Sequence, residues 1–178
     1  RWLKEIGDGL LLIFDTTKDA VDCSIEIQHT VKNVANLDMR IGIHQGEVVI
    51  QGDDVLGDDV NVASRIEPFA STGGIVISNR VNASLLRDPS YQTKLIGKPA
   101  LKGVRQEVKL HCIVSHGLPE TDLSKVSAKL EPEGSAHDIK SPNFQTEKEG
   151  EGKSNLLIIG GVVGAVILVG LVLFMMAD

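Results

Sequence analysis

Hydrophobic positions in the first two thirds of the chain follow both strand and helix spacings. Residues 10–14 form an apolar run just after a glycine-containing turn, which predicts a buried strand. Asp15 or Thr16 can cap the helix that follows, and this helix should end near Asn33. Its apolar residues recur every three or four positions and define one face of a helix. They are Ala20, Cys23, Ile27, Val31 and Val34.

The next segment, MRIGIHQGEVVI at 39–50, predicts a β-hairpin. Alternate residues are apolar up to Ile43, Gly46 permits a turn, and an apolar run returns at 48–50. The remaining pattern predicts a helix at 58–70, a strand at Ile75–Ser78, a short helix from Asn79, and strands at 91–96 and 108–114. This order of elements predicts an α+β fold with a mixed sheet covered by helices.

The last third of the chain has a different composition. Residues 116–154 are rich in Glu, Lys, Ser, Gly and Pro, which predicts a flexible, disordered polar linker. Residues 156–176, LLIIGGVVGAVILVGLVLFMM, carry no charge, and a helix of that length spans roughly 30 Å at ~1.5 Å per residue. We therefore expect three regions: a domain at 1–115, the linker at 116–154 and a transmembrane helix at 155–176. Gly160 and Gly164 could pack two such helices together, but glycine is common in membrane helices, so both interpretations stay open.

Overall charge and cysteine content narrow the function classes. The net charge of −6 and the sequence pI of about 5.4 argue against a broad nucleic-acid surface, so we expect no nucleic-acid partner. Cys23 and Cys112 lie far apart in the sequence and have no metal-ligand spacing. We interpret them as buried reduced thiols, which suits a cytoplasmic location.

Two short motifs could carry chemistry. Asp8, between two glycines at a strand-to-strand turn, is a candidate Mg²⁺ ligand, although a plain hairpin turn is the simpler interpretation of this motif alone. In GDDVLGDDVNVASRI at 52–66, Asp58 can cap a helix whose first turn includes Asp59. Asn61 and Arg65 are then four apart on one helical face, which suits a ribose and a charged phosphate or, alternatively, a solvated surface.

Several motifs taken together resemble one family. KEIGDG, RIGIHQGEVV, DDVLGDDVNVASRIEP, GGIVIS and LKGV occur in the order and spacing of the class III nucleotidyl cyclase catalytic domain, over about residues 1–115. The resemblance implies a ferredoxin-like core that acts as a homodimer with active sites at the interface. It also implies attack of the ribose 3′-hydroxyl on the α-phosphate of a nucleoside triphosphate, with two Mg²⁺ or Mn²⁺ ions.

The resemblance also implies a role for individual residues. Asp8 matches the second of two metal-binding aspartates, and Lys4 and Asp54 match the pair that reads the base. Asn61 matches the residue that orients the ribose, and Arg65 matches the one that stabilises charge on the reacting phosphate. Lys102 matches a lysine near the terminal phosphates. A Lys donor with an Asp acceptor suits the edge of adenine, whereas guanylate-specific relatives typically carry Glu and Cys, so we expect ATP as substrate.

The family's first metal aspartate lies on a strand upstream of the GDG turn, and that strand is missing from this sequence. We therefore expect an N-terminally incomplete core, and a fragment that is inactive alone. Because ATP is cytoplasmic, the expected arrangement is a single-pass protein of the cell (inner) membrane, tethered to the lipid bilayer, with a cytoplasmic catalytic domain. The leading hypothesis is an adenylate cyclase. A catalytically silent dimerisation or regulatory module and a guanylate cyclase are the alternatives.

Overall fold

The computed structural model describes residues 2–6, 9–52, 54–122, 130–131 and 162–172. Three α-helices lie in these ranges, α1 (Thr17–Val31), α2 (Asp58–Ile66) and α3 (Asn79–Leu85), and a 3₁₀ turn at Glu67–Phe69 follows α2. The strands are β1 (Trp2–Ile6), β2 (Gly9–Phe14), β3 (Asp38–Gln51), β4 (Asp54–Leu56), β5 (Ile75–Ser78), β6 (Thr93–Pro99), β7 (Leu110–Ile113), β8 (Leu130–Glu131) and β9 (Val162–Val172).

The strands of the described ranges form one mixed sheet. Their order is β1-β2-β9-β3-β5-β7-β6-β8, and β4 pairs with β3 outside this path. β3 and β5 run parallel, with Ile41 opposite Ile75, while the other pairs in the sheet are antiparallel. The prediction of an α+β fold with a mixed, helix-covered sheet is therefore confirmed.

Helices cover both faces of the sheet, and the residues of β3 alternate between them. Ile41 and Ile43 of β3 pack with Val21 of α1 and Val81 of α3 on one face. On the other face, α2 contributes residues to two further clusters, one with β5 and β7 and one with β2 and Val48 of β3. Since successive side chains of a strand point to opposite faces, the even-numbered residues of β3 face α2.

The predicted hairpin at 39–50 is wrong. β3 runs without interruption from Asp38 to Gln51, and the chain reverses only after Gly52, where β4 pairs back with Val49 opposite Leu56. Gly46 is needed for another reason: a Cβ on this residue would lie 2.1 Å from the Asp59 carboxyl carbon. The glycine that looked like a turn signal marks a close approach between strand and helix.

The predicted transmembrane helix at 155–176 is also wrong where the structure describes this segment. Val162–Val172 is an extended strand, β9, which pairs antiparallel with β2 on one side and β3 on the other. A central strand can be apolar throughout, so hydropathy alone does not distinguish it from a membrane helix. Six of its eleven residues are Val or Ile, which favours the extended form. Among the described residues, no helix is long and apolar enough to cross a bilayer. Residues 155–161 and 173–176 lie outside the described ranges.

Several other local predictions are confirmed. Thr16 is the N-cap of α1, and its side chain accepts a hydrogen bond from the Asp19 N–H at 3.1 Å. The strand at Ile75–Ser78 and the helix from Asn79 are present as predicted. Both cysteines are free, but only Cys112 is buried as predicted, whereas Cys23 is half-buried. The first residues of the predicted linker pack onto the fold, because Leu118 is buried in the α1–α3 cluster; residues 123–129 and 132–161 lie outside the described ranges.

Gly42 offers a test of the close packing between β3 and the segment after α2. A Cβ at Gly42 would lie 2.7 Å from the backbone nitrogen of Glu67 and 2.8 Å from its Cα, so the Glu67–Phe69 turn would have to move. We expect Gly42→Ala to lower the free energy of unfolding by about 1–3 kcal/mol, measured by urea denaturation.

Gly52→Asn is the matched control for this substitution. Gly52 has a φ of 60°, which asparagine tolerates, and a Cβ there meets nothing within 4 Å. Its effect should stay within about 0.5 kcal/mol. Equal stability of Gly42→Ala and the wild type would contradict this account of the packing.

Candidate active site

Helix α2 carries two of the predicted site residues on its outer side. Val62, Ala63 and Ile66 are buried against the sheet, whereas Asn61 is exposed and Arg65 is half-buried. This amphipathic pattern fixes which side of a short helix faces the sheet. Asn61 and Arg65 follow one another at i and i+4, so they project from the same side of α2.

The start of α2 differs in part from the sequence prediction. The helix begins at Asp58, as expected, but its N-cap is Gly57, and no side chain makes a capping hydrogen bond. The Asp59 carboxylate reaches β3 instead. Its Oδ1 lies 3.0 Å from Nε2 of His44, and its Oδ2 accepts the Glu47 N–H at 2.7 Å. Asp59 therefore joins the first turn of the helix to the strand.

A second polar contact joins the end of α2 to the same strand. Arg40 Nε donates to Glu67 Oε1 at 2.8 Å, and the Glu67 side chain is 9% exposed. Arg40, like His44, is an even-numbered residue of β3 and faces α2. Sequence reasoning did not single out Arg40, His44 or Glu67. The available signal was the alternation Arg-x-Gly-x-His-x-Gly at 40–46, in which every second residue is polar or glycine.

Burial decides the charge state of the His44–Asp59 contact. The His44 side chain is 1% exposed, and this burial lowers the pKa of its imidazole, although the hydrogen bond to Asp59 opposes the shift. Partial burial raises the pKa of the Asp59 carboxyl, but hydrogen bonds from His44 and the Glu47 N–H outweigh it, and the net pKa is lowered. At neutral pH the contact is thus a neutral imidazole donating to a carboxylate.

Asn61 lines an open cleft of about 610 Å³ between α2, the start of α3 and the β6–β7 loop. Arg80 of α3 and Arg105 of the loop add positive charge to its walls. Gln106 Nε2 of the β6–β7 loop lies 3.4 Å from Asp59 Oδ1, and Arg80 Nη1 of α3 lies 3.8 Å from the same atom. The Asp59 carboxylate in the first turn of α2 therefore contacts the other two walls of the cleft.

Arg65 and Lys102 come together at the same loop. Arg65 Nη1 donates to the backbone carbonyl of Lys102 at 3.1 Å, and the Lys102 side chain is exposed. This bond uses one of the five N–H donors of the guanidinium. The structure therefore brings Asn61, Arg65 and Lys102 to one region of the surface.

The predicted base-reading residues lie on neighbouring strands. Lys4 is on β1, opposite Leu11 of β2, and Asp54 begins β4, opposite Gln51. β1 and β4 approach each other, with Cα atoms less than 8 Å apart. The predicted metal ligand Asp8 lies outside the described residues. Within the described ranges, no group of three or more His, Cys, Asp or Glu side chains could hold a metal ion.

Comparison with known families identifies the domain. The family model for the adenylate and guanylate cyclase catalytic domain matches residues 6–115, more than half of the chain. The chain belongs to this family. A crystal structure of an adenylate/guanylate cyclase/hydrolase from Silicibacter pomeroyi is similar to this cyclase domain, with 29% sequence identity and a TM-score of 0.59 over 65% of this chain and 73% of that one.

A second solved structure shares the fold, and two curated proteins match part of the chain. The catalytic core of a rhodopsin-guanylyl cyclase with converted specificity, in complex with ATPαS, shares the fold at 24% identity and a TM-score of 0.55, over 64% of this chain and 70% of that one. A protein of Rhizobium meliloti (strain 1021), provisionally named an adenylate cyclase, is 36% identical over 90 residues, which are 46% of this chain and 15% of that protein. A pH-sensitive adenylate cyclase of Mycobacterium tuberculosis (strain CDC 1551 / Oshkosh) is 28% identical over 113 residues, which are 61% of this chain. The chain spans only 15% and 28% of the length of these two curated relatives.

The buried imidazole makes the stability of the cyclase domain depend on pH. Because the pKa of His44 is lowered below 6.5 in the folded state, the unfolded chain binds more protons between the two pKa values, and stability falls as pH drops below about 6.5. We expect His44→Gln, whose amide can still donate to Asp59, to lose less unfolding free energy between pH 7 and pH 5 than the wild type. Urea denaturation across this range measures the difference.

Val81→Ala serves as the control for a destabilised domain, because Val81 is fully buried and carries no titratable group. Its unfolding free energy should change with pH as that of the wild type does. If His44→Gln also follows the wild type, His44 does not titrate as the structure implies.

Proposed function

We propose that this chain is the catalytic part of an adenylate cyclase, which converts ATP to 3′,5′-cyclic AMP and pyrophosphate. The observation that carries the proposal is the grouping of Asn61, Arg65 and Lys102 beside the cleft, with Arg65 held 3.1 Å from the Lys102 carbonyl oxygen. Attack of the ribose 3′-hydroxyl on the α-phosphate builds negative charge on phosphoryl oxygens. A guanidinium already fixed in place stabilises that charge without reorganisation.

Asn61 and Lys102 have roles that suit their positions. The Asn61 amide can both donate to and accept from ribose hydroxyl groups, and its exposure on the cleft wall leaves room for a ligand. The Lys102 ammonium, exposed on the β6–β7 loop, is a flexible point charge that suits the terminal phosphates. Together with Arg65, these residues would orient the ribose and offset the charge of the triphosphate.

Selection of ATP over GTP rests on Lys4 and Asp54. Adenine presents an amino donor at N6 and an acceptor at N1, so a carboxylate can accept from the first and an ammonium can donate to the second. The approach of β1 to β4 supports a joint role, because Lys4 lies on the first of these strands and Asp54 on the second. A guanylate cyclase is the competing assignment, since the family includes both activities.

The family resemblance adds a divalent cation requirement and a dimer to the proposal. Mg²⁺ or Mn²⁺ would activate the attacking hydroxyl and neutralise the leaving pyrophosphate, and Asp8 would supply one carboxylate. Among the residues that the structure describes, no group of three or more His, Cys, Asp or Glu could hold a metal ion, and Asp8 lies outside them. At each active site of the proposed homodimer, one protomer supplies Asp8. The other protomer supplies Lys4, Asp54, Asn61 and Arg65 to that same site.

Nucleotide selectivity tests the proposed substrate. With Mg²⁺ or Mn²⁺, we expect the full-length protein to form cyclic AMP from ATP in preference to cyclic GMP from GTP, because Lys4 and Asp54 complement adenine. The double substitution Lys4→Glu with Asp54→Cys should lower the ratio of kcat/KM for ATP over GTP by about 100-fold or more. Chromatographic separation of the two cyclic products measures this ratio.

Two outcomes would contradict the assignment. Wild-type protein that prefers GTP would be a guanylate cyclase. Wild-type protein that is folded but makes neither cyclic nucleotide would instead be a silent regulatory module.

Mixing of inactive variants tests the shared active site. Lys4→Ala and Asp8→Ala each remove a different half of the proposed interface site, so each should be inactive alone. An equimolar mixture contains heterodimers with one intact site, and we expect part of the wild-type activity to return. A mixture of two preparations of Lys4→Ala is the control. Absence of recovery, although heterodimers form, would count against the division of residues between protomers.

A further inference from the structure

The two polar contacts between α2 and β3 are in register along both elements. Asp59 contacts the strand at His44 and Gly46, and Glu67 contacts it at Arg40 and Gly42. Eight residues of helical rise cover about 12 Å, and four residues of strand cover about 13 Å. The two spans match, so α2 lies antiparallel along β3 and is attached at both ends.

Glycines on the strand allow α2 to lie this close. A Cβ at Gly46 would overlap the Asp59 side chain, at 2.1–2.3 Å, and a Cβ at Gly42 would meet the Glu67 backbone at 2.7–2.8 Å. Gly57, just before the helix, likewise faces the Glu47 carbonyl oxygen, which would lie 2.9 Å from a Cβ. Each of these close approaches therefore depends on the absence of a side chain on glycine.

The Asp59 carboxylate collects donors from three elements. His44 and the Glu47 N–H belong to β3, Arg80 belongs to α3, and Gln106 belongs to the β6–β7 loop. The same loop contains Lys102, whose carbonyl holds Arg65, so α2 is tied to this loop at two points. At 16% exposure, the Asp59 carboxylate is costly to leave without these donors.

The attached side chains alternate with the proposed functional ones. Asp59 and Asn61 are two residues apart, about 200° around a helix, so Asn61 points away from the Asp59–His44 contact and lines the cleft. Arg65 similarly precedes Glu67 by two residues. A helix of only nine residues has little stability of its own, so its position must come from these contacts and from its buried apolar residues.

We infer that His44, Asp59, Arg40 and Glu67 are positioning residues, which hold α2 at both ends on β3 so that Asn61 and Arg65 meet the nucleotide in one fixed geometry. This inference rests on the proposed function for the roles of Asn61 and Arg65. The attachment itself is independent of that function. A displacement of about 1 Å at a catalytic group can cost about 100-fold in rate, so loss of either attachment should affect turnover more than substrate binding.

Enzyme kinetics with paired variants test the inference. We expect Asp59→Ala and His44→Ala in the full-length protein to lower kcat by about 10- to 100-fold while KM for ATP changes by less than about threefold. His44→Gln keeps a donor to Asp59 and should recover most of the turnover. Glu67→Ala should lower kcat as Asp59→Ala does. Glu67→Gln keeps an acceptor for Arg40 and should recover most of the turnover, as His44→Gln does.

Val81→Ala is the control for general destabilisation. Val81 is fully buried in the cluster between α3 and β5, on the face of the sheet opposite α2. It should lower the melting temperature without lowering kcat when assays are run well below that temperature. A wild-type kcat in Asp59→Ala would overturn the inference, and so would an equal loss of kcat in Val81→Ala, because the effect would then be one of stability alone.

Amide hydrogen exchange separates this inference from the proposed function. If the wild type makes no cyclic nucleotide, the proposed function fails, but the attachment can still be measured as exchange protection of residues 61–66. We expect Asp59→Ala to lose protection there while α1 keeps it, and we expect Val81→Ala to leave α2 protected. Unchanged protection of α2 in Asp59→Ala would overturn the attachment itself, whatever the catalytic result.

Discussion

The close contact between strand β3 and helix α2 is the constraint on which the candidate active site depends. Met39, Ile41 and Ile43 of β3 belong to the apolar layer under α1 and α3, while Arg40 and His44 on the other face of the strand contact Glu67 and Asp59. A side chain at Gly46 would overlap the Asp59 side chain, and one at Gly42 would overlap the backbone of Glu67, the residue that follows α2. A strand that served one layer alone would tolerate side chains there, but it would hold the helix farther away.

Polar contacts set the position of α2 along β3. Apolar residues such as Val62 and Ile66 hold α2 against the sheet, but apolar contact alone leaves sliding and rotation cheap. The Asp59 carboxylate is 16% exposed and contacts donors from β3, α3 and the β6–β7 loop, so these contacts favour one position of the helix. Because an unpaired buried carboxylate is costly, the network specifies a single placement of α2.

Two errors of sequence interpretation have related physical causes. The sequence predicts a turn at Gly46, because glycine relaxes the restrictions on the backbone. Glycine also lacks a side chain, and only the neighbouring helix shows that this second property is the one the fold requires at Gly46. The apolar segment that includes Val162–Val172 was interpreted as a membrane helix, because hydropathy measures how apolar a segment is and not which partner covers it. In the structure, its partners are the edges of β2 and β3.

The sequence by itself determined the α+β class, a helix that begins just after Asp15 or Thr16, the helix from Asp58 and the cyclase family, because local periodicity and ordered motifs carry these features. It also placed Asn61 and Arg65 on one side of a helix. Only the tertiary structure decided that Asp59 bonds to His44 across 15 residues and that Arg65 meets Lys102 across 37. These contacts join residues far apart in sequence, and no local pattern specifies which elements become neighbours once the chain folds.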